Sequence, residues 1–191
     1  MSHFLKTPFA VATGLGLASS SYFFFGNLGM VTCGVIKMTT SAKLRHELDI
    51  NADRAVGLWA CMYENGALQF APTSIVSAVA FLVASHTSSG SARFATVAHQ
   101  KLASRLLLSA SVCSLAIVPF TILVMLPNIK PLIAARDKVK ARRSGKEGTV
   151  HEGEQADQII KGIELWKLHN TGRMAIGFVT WVLGMTAALV S

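Results

Sequence analysis

One carboxylate, Glu64, stands in the apolar stretch "WACMYENGALQFAP", residues 59–72. Far along the chain, "LWKLHNTGR", residues 165–173, sets an imidazole, an amide and a guanidinium (His169, Asn170, Arg173) in a second apolar stretch. A carboxylate or an imidazole can take a proton, while amide and guanidinium groups can hold the oxyanion that such a step leaves behind. The chemistry that these residue types suggest is proton abstraction with stabilisation of the resulting anion. On a helix Trp166, Asn170 and Arg173 fall at i, i+4 and i+7, one face, with His169 beside them. Asn27, in a third apolar stretch, is an amide at a comparable distance from its helix end. A structural alternative accounts for the same residues. Glu64 and Arg173 would be an ion pair tying two helices together, with Asn27 and Asn170 as interhelical hydrogen-bond partners, since charges within membranes pair with one another.

The elements that must carry these groups follow from hydropathy. Mean hydropathy is +0.46 and charged residues are only 15% of the 191. Apolar runs of about 20 residues span the hydrocarbon as helices, and four stretches qualify: about 8–36, 55–84, 95–126 and 165–190. The expected fold is all-α, a four-helix transmembrane bundle of antiparallel up-down topology, forming a single membrane domain over 1–191. A cleaved signal peptide is the competing reading of the N-terminus, because "ATGLGLASS" offers small residues. The apolar run continues through "YFFFGNLGMVTCGVI", too far for a signal core, so an uncleaved first helix is expected. Small residues at Gly14, Ala18, Gly26, Gly29 and Cys33 suit a packing seam. "SHTSSGSAR", residues 85–93, reads as a short turn. "PNIKP" at 127–131 is expected to end the third helix and open a basic loop, 128–164, within which residues 150–163 suit a short surface helix.

The net charge of +8 follows topology rather than nucleic acid. Basic residues crowd the first and third connections, among them Lys37, Lys43, Arg45 and Arg54, then Arg136 and the "KVKARRSGK" run. The positive-inside rule puts these loops in the cytoplasm and both termini on the lumenal or external side, with anionic lipid heads as the expected contact of the basic run. By depth counting, Glu64 then lies about 12 to 14 Å in from the cytoplasmic edge. Cys33, Cys61 and Cys113 are odd in number and lie in membrane stretches, which argues against a disulfide framework or a thiol redox centre. His99 and His169 start from opposite faces, so a bis-histidine haem is not expected. His46, in "KLRHELDI", could join Glu64 and His169 in a metal site, but no paired-histidine spacing supports it and a solvated loop is the simpler reading.

The order of these motifs resembles the anthrone-oxygenase-like family of small integral membrane proteins: "W", "Y" and "ENG" in the second helix, "LPNIKPL" closing the third, "LWKLHNTGR" opening the fourth. The resemblance covers nearly the whole chain. It implies oxidation by O2 of a polyketide-derived anthrone to an anthraquinone in secondary metabolism, in the endoplasmic reticulum or another endomembrane. It implies a hydrophobic aromatic substrate as partner and no cofactor beyond O2. Carried over by position, the family's polar positions fall on Trp59, Tyr63, Asn128, Trp166, Asn170 and Arg173. On this reading Glu64 or His169 is the base, with His169 preferred because imidazole exchanges protons near neutral pH. Arg173, Asn170 and Asn27 hold the oxyanion, Trp59, Tyr63 and Trp166 stack on the rings, and Asn128 binds substrate. The competing functions are a proton-coupled transporter that uses Glu64 and a membrane scaffold that recruits soluble biosynthetic enzymes.

Overall fold

The computed structural model describes residues 7–88, 96–144 and 152–191, and among these it contains helices and no strand. Most of the "SHTSSGSAR" turn and the end of the "KVKARRSGK" run lie outside the described residues. Four helical stretches are long and apolar enough to cross a membrane: Pro8–Thr40, Ala52–Thr87, Val97–Arg143 and Gly153–Leu189. The protein is an all-α integral membrane protein.

Helix α1 (Pro8–Thr32) is followed by two short helices, α2 (Val35–Thr40) and α3 (Ala42–Glu47). Asp49 then adopts a left-handed backbone, φ 51°, which an aspartate tolerates better than most residues. Asn51 Oδ1 accepts the Arg54 amide at 2.9 Å, an N-cap that opens α4 (Ala52–Thr87). Helix α5 (Val97–Phe120) runs through a π turn, Thr121–Met125, into α6 (Leu126–Arg143), and α7 (Glu152–Leu189) closes the described chain.

Two expectations are corrected by these elements. Pro127 and Pro131 do not end the third helix. Pro127 falls in the first turn of α6, directly after a π turn whose closing bond, Leu126 N to Thr121 O, already departs from the i−4 ladder. A missing N–H and a bulky ring are tolerated in such a widened turn. The expected basic loop is therefore helical over 126–143, and Ile129, Leu132 and Val139 of α6 are buried. Likewise, the expected surface helix at 150–163 is, over its described residues from 152 on, the first part of α7.

Contacts divide the chain into two compact units. The first gathers the chain up to Gly26 with Gln69–Pro119 and Arg173–Ser191; the second gathers Asn27–Leu68 and Phe120–Gly172. Among the described residues, every aspartate and glutamate belongs to the second unit.

The first unit is held by packing and by serine. Phe81 is fully buried and wedges against two glycines: a methyl group at Gly16 would stand 2.6 Å from its ring and one at Gly184 2.5 Å away. Only glycine lets α1 and α7 close on the phenyl group. The expected seam is shifted, because a methyl group at Gly14 or Gly29 would meet open space whereas Gly26 abuts Phe70. The small positions admit aromatic rings rather than a neighbouring backbone. Ser111 Oγ donates to Ala78 O at 2.7 Å and Ser114 Oγ to Ser74 O at 2.8 Å, so α5 is tied to α4. In lipid each such bond contributes about 0.6 kcal/mol. The outer face carries Val11, Leu15, Val79 and Val112, each more than half exposed, as a lipid-facing surface requires.

The second unit has a larger core that includes Ile36, Val56, Trp59, Met125, Ile129, Ile163 and Trp166. Ion pairs reinforce it at the surface. Arg142 Nη2 lies 3.1 Å from Asp53 Oδ1 and joins the end of α6 to the start of α4.

Candidate functional site

Within the second unit, buried stripes decide which side chains meet. On α7, Ile159, Ile163, Trp166 and Asn170 recur at alternating steps of four and three and are all buried. On α4, Ala55, Val56, Trp59 and Ala60 form the matching buried face. Trp59 and Trp166 consequently meet edge to face, ring centroids 6.1 Å apart and planes at 82°. Tyr63, one turn beyond Trp59, lies parallel on its indole at 5.4 Å and 4°. The three aromatic residues expected at the site thus form one contiguous cluster.

The amides are placed differently. Asn27 and Asn170 are fully buried and both are engaged by neighbours. Asn128 Nδ2 donates to Gly162 O at 3.0 Å, one turn before Trp166. A methyl group at Gly162 would come within 2.9 Å of Leu132, so α6 and α7 approach closely and Asn128 fastens the crossing. Beside it, a cavity of about 360 Å³ is bordered by Asn128, Leu132, Lys138, Gln155, Gln158 and Ile159, within the size range of small-molecule sites.

Glu64 is half exposed, and its Oε1 lies 2.7 Å from Arg136 Nη1. The expected cation was Arg173; the one on the carboxylate is Arg136, whose side chain is only 13% exposed. Arg136 Nε also lies 2.7 Å from Asp137 Oδ1, an ionic contact whose alignment falls short of a hydrogen bond. Sequence reasoning placed Arg136 in a loop and missed this pairing. The signal was present, because Ile129, Leu132, Arg136 and Val139 share one helical stripe in which Arg136 alone is charged, and a cation on a buried stripe needs an acid opposite. Arg173 belongs to the first unit, where its guanidinium carbon sits 5.5 Å from the centre of the Phe23 ring, a cation–π contact.

His169 is half-buried, and its Nδ1 is buried without a hydrogen-bond partner among the described residues. The indole nitrogens of Trp59 and Trp166 share that condition. His46 is exposed on α3, and among the described residues no three of His, Cys, Asp and Glu are grouped to hold a metal ion. His46, Glu64 and His169 therefore do not form the metal site considered above.

The second unit thus brings two indoles and a tyrosine into one apolar core, with the His169 imidazole one turn along α7 from Trp166, groups whose chemistry is stacking, hydrogen-bond donation and proton exchange. A family model described as "Anthrone oxygenase" matches residues 59–183. That span opens on Trp59 and includes Tyr63, Glu64, Asn128, Trp166, His169, Asn170 and Arg173, while Asn27 and His46 precede it. No curated protein and no solved structure matches the chain. The match extends over well over half of the sequence, on a membrane-spanning all-helical fold, and the chain belongs to the anthrone oxygenase family.

Proposed function

We propose that the protein is a membrane-bound oxygenase that converts a polyketide-derived anthrone, or a related hydroxyaromatic, to a quinone with O2. The family match, whose span carries the cluster of Trp59, Tyr63 and Trp166 and, one turn along α7 from Trp166, His169, is the observation on which this rests. The substrate is flat, apolar and phenolic, so it partitions into the bilayer and reaches the helices from lipid.

His169 takes a proton from the methylene carbon between the rings. The anion that forms is an electron-rich aromatic oxyanion, and it passes one electron to O2. The resulting superoxide and substrate radical combine at that carbon to give a hydroperoxide. Loss of the second methylene proton with cleavage of the O–O bond yields the new carbonyl and water. Atoms balance: one CH2 and one O2 become one C=O and one H2O, and the electrons come from the substrate. The residues must exchange a proton, stabilise the oxyanion and keep the chamber apolar. Asn170 and Asn27, both buried in the second unit, are proposed as polar groups toward the oxyanion. Glu64, half exposed and paired with Arg136, is assigned to holding α6 against α4, a role that also removes the support for a transporter built on that carboxylate.

The test is to purify the protein in lipid nanodiscs, supply a panel of anthrones, and follow quinone absorbance and oxygen uptake above the uncatalysed background. Wild type should incorporate one atom of labelled oxygen into the quinone and His169→Ala should fall to background. Failure of the wild type to exceed background across the panel overturns the reading.

A further inference from the structure

Trp59 is fully buried and Trp166 is 2% exposed, yet among the described residues neither indole nitrogen has a hydrogen-bond partner. An indole N–H is a donor only, and burying it without an acceptor destabilises the fold, so natural chains seldom retain such groups and each requires an explanation. Here two of them belong to side chains in direct contact, on helices α4 and α7, and a third buried polar atom without a partner, His169 Nδ1, lies one turn along α7 from Trp166. Tyr63 lies parallel to Trp59 and covers one face of its indole. That face is partly taken by the tyrosine ring, which weakens the stacking role expected from the sequence and leaves the N–H edges as the polar function of the pair.

We infer that the indole N–H groups of Trp59 and Trp166 together donate to one oxygen of the bound aromatic substrate, the oxygen that becomes an oxyanion when His169 removes the proton. This rests on the oxygenase reading and deepens it. Neutral donors suit this role because they stabilise a developing negative charge in an apolar surrounding without adding a fixed cation to the core. A phenylalanine at either position keeps an aromatic ring and removes the donor.

The experiment uses full-length protein in nanodiscs and a hydroxylated anthraquinone, whose visible absorbance reports ionisation of its phenol. Wild type should bind it and shift that ionisation to lower pH relative to the free dye. Trp59→Phe and Trp166→Phe should each weaken binding by about 3- to 10-fold and move the ionisation back toward the free value, while binding of anthracene, which has no oxygen, stays unchanged. Tryptophan labelling with a nitrogen isotope supplies a measurement on unaltered protein. The sequence has three tryptophans, and the indole signals of Trp59 and Trp166 should move downfield on adding the dye while that of Trp181, which packs on Phe25 and Phe178, stays in place. Unchanged dye binding and ionisation in both variants overturns the inference and leaves the oxygenase reading intact, provided wild type oxidises anthrones. Equal loss of dye and anthracene binding overturns it in favour of packing alone. Absence of both dye binding and turnover in wild type overturns inference and reading together.

Discussion

Glu64 Oε1 and Arg136 Nη1 lie 2.7 Å apart across 72 positions of sequence, and the pair joins α4 to α6 within one compact unit. The carboxylate is half exposed whereas the guanidinium is largely covered, so the acid serves the cation more than the reverse. Glu64→Gln should lower stability by about 1 kcal/mol at most, the range of partly exposed pairs, and leave quinone formation within a few-fold of wild type. Arg136→Met, which retains the covered stem, should be similarly mild. Thermal melts and turnover in nanodiscs check both. Loss of turnover in Glu64→Gln with an unchanged melt would make the carboxylate catalytic instead.

Asp53 and Arg142 fasten the start of α4 to the end of α6 through contacts of 3.1 and 3.3 Å. Asp53→Asn should lower the melting temperature, and the decrement should shrink at about 1 M salt, where screening falls to about 3 Å. The exchanged pair, Asp53→Arg with Arg142→Asp, should regain part of the loss. Equal decrements at low and high salt would show that the charge pairing with Arg142 does not carry the loss.

Phe81 between Gly16 and Gly184 predicts a size-dependent defect. Gly16→Ala or Gly184→Ala should destabilise by about 1 to 3 kcal/mol, as overpacking does, measured by unfolding in mixed detergent. Phe81→Leu should be destabilising alone and should relieve Gly16→Ala when combined with it. A combined effect equal to the sum of the two single effects would show that the methyl group and the ring do not compete for one space.

His169→Gln keeps a polar side chain but exchanges no proton. Turnover should fall by about 100- to 10,000-fold, the usual contribution of a positioned general base, with binding of the hydroxylated anthraquinone retained. Deuterium at the substrate methylene should slow wild type if proton removal limits the rate, and retained turnover in His169→Gln would move the base elsewhere.

Much of this architecture was legible from spacing. The four spans follow from hydropathy, and the meeting of Trp59 with Trp166 follows from two buried stripes at steps of three and four. The partner of Glu64 was not legible for one physical reason. Reading Pro127 and Pro131 as a stop turns Ile129, Leu132, Arg136 and Val139 into loop residues and hides the stripe they form. The π turn at Thr121–Met125 permits the helix to continue, and no local sequence signal announces it. The orphaned indole nitrogens were equally invisible, because burial and the absence of an acceptor are properties of the packed core. The resemblance placed Asn128 at the site, whereas its bond to Gly162 O is a contact that only coordinates reveal.

The described acidic side chains are confined to the second unit, and helix length shows what that confinement leaves over. Helix α4 has 36 residues and α7 has 38, about 54 to 57 Å at 1.5 Å per residue, against a hydrocarbon layer of about 30 Å. The acid-free portions, residues 69–87 of α4 and 173–189 of α7, match that thickness. The remaining turns of both helices belong to the second unit and carry its acidic side chains. The aromatic cluster of Trp59, Tyr63 and Trp166 thus sits on the turns of α4 and α7 that extend past one hydrocarbon thickness, the same turns that carry the acidic side chains.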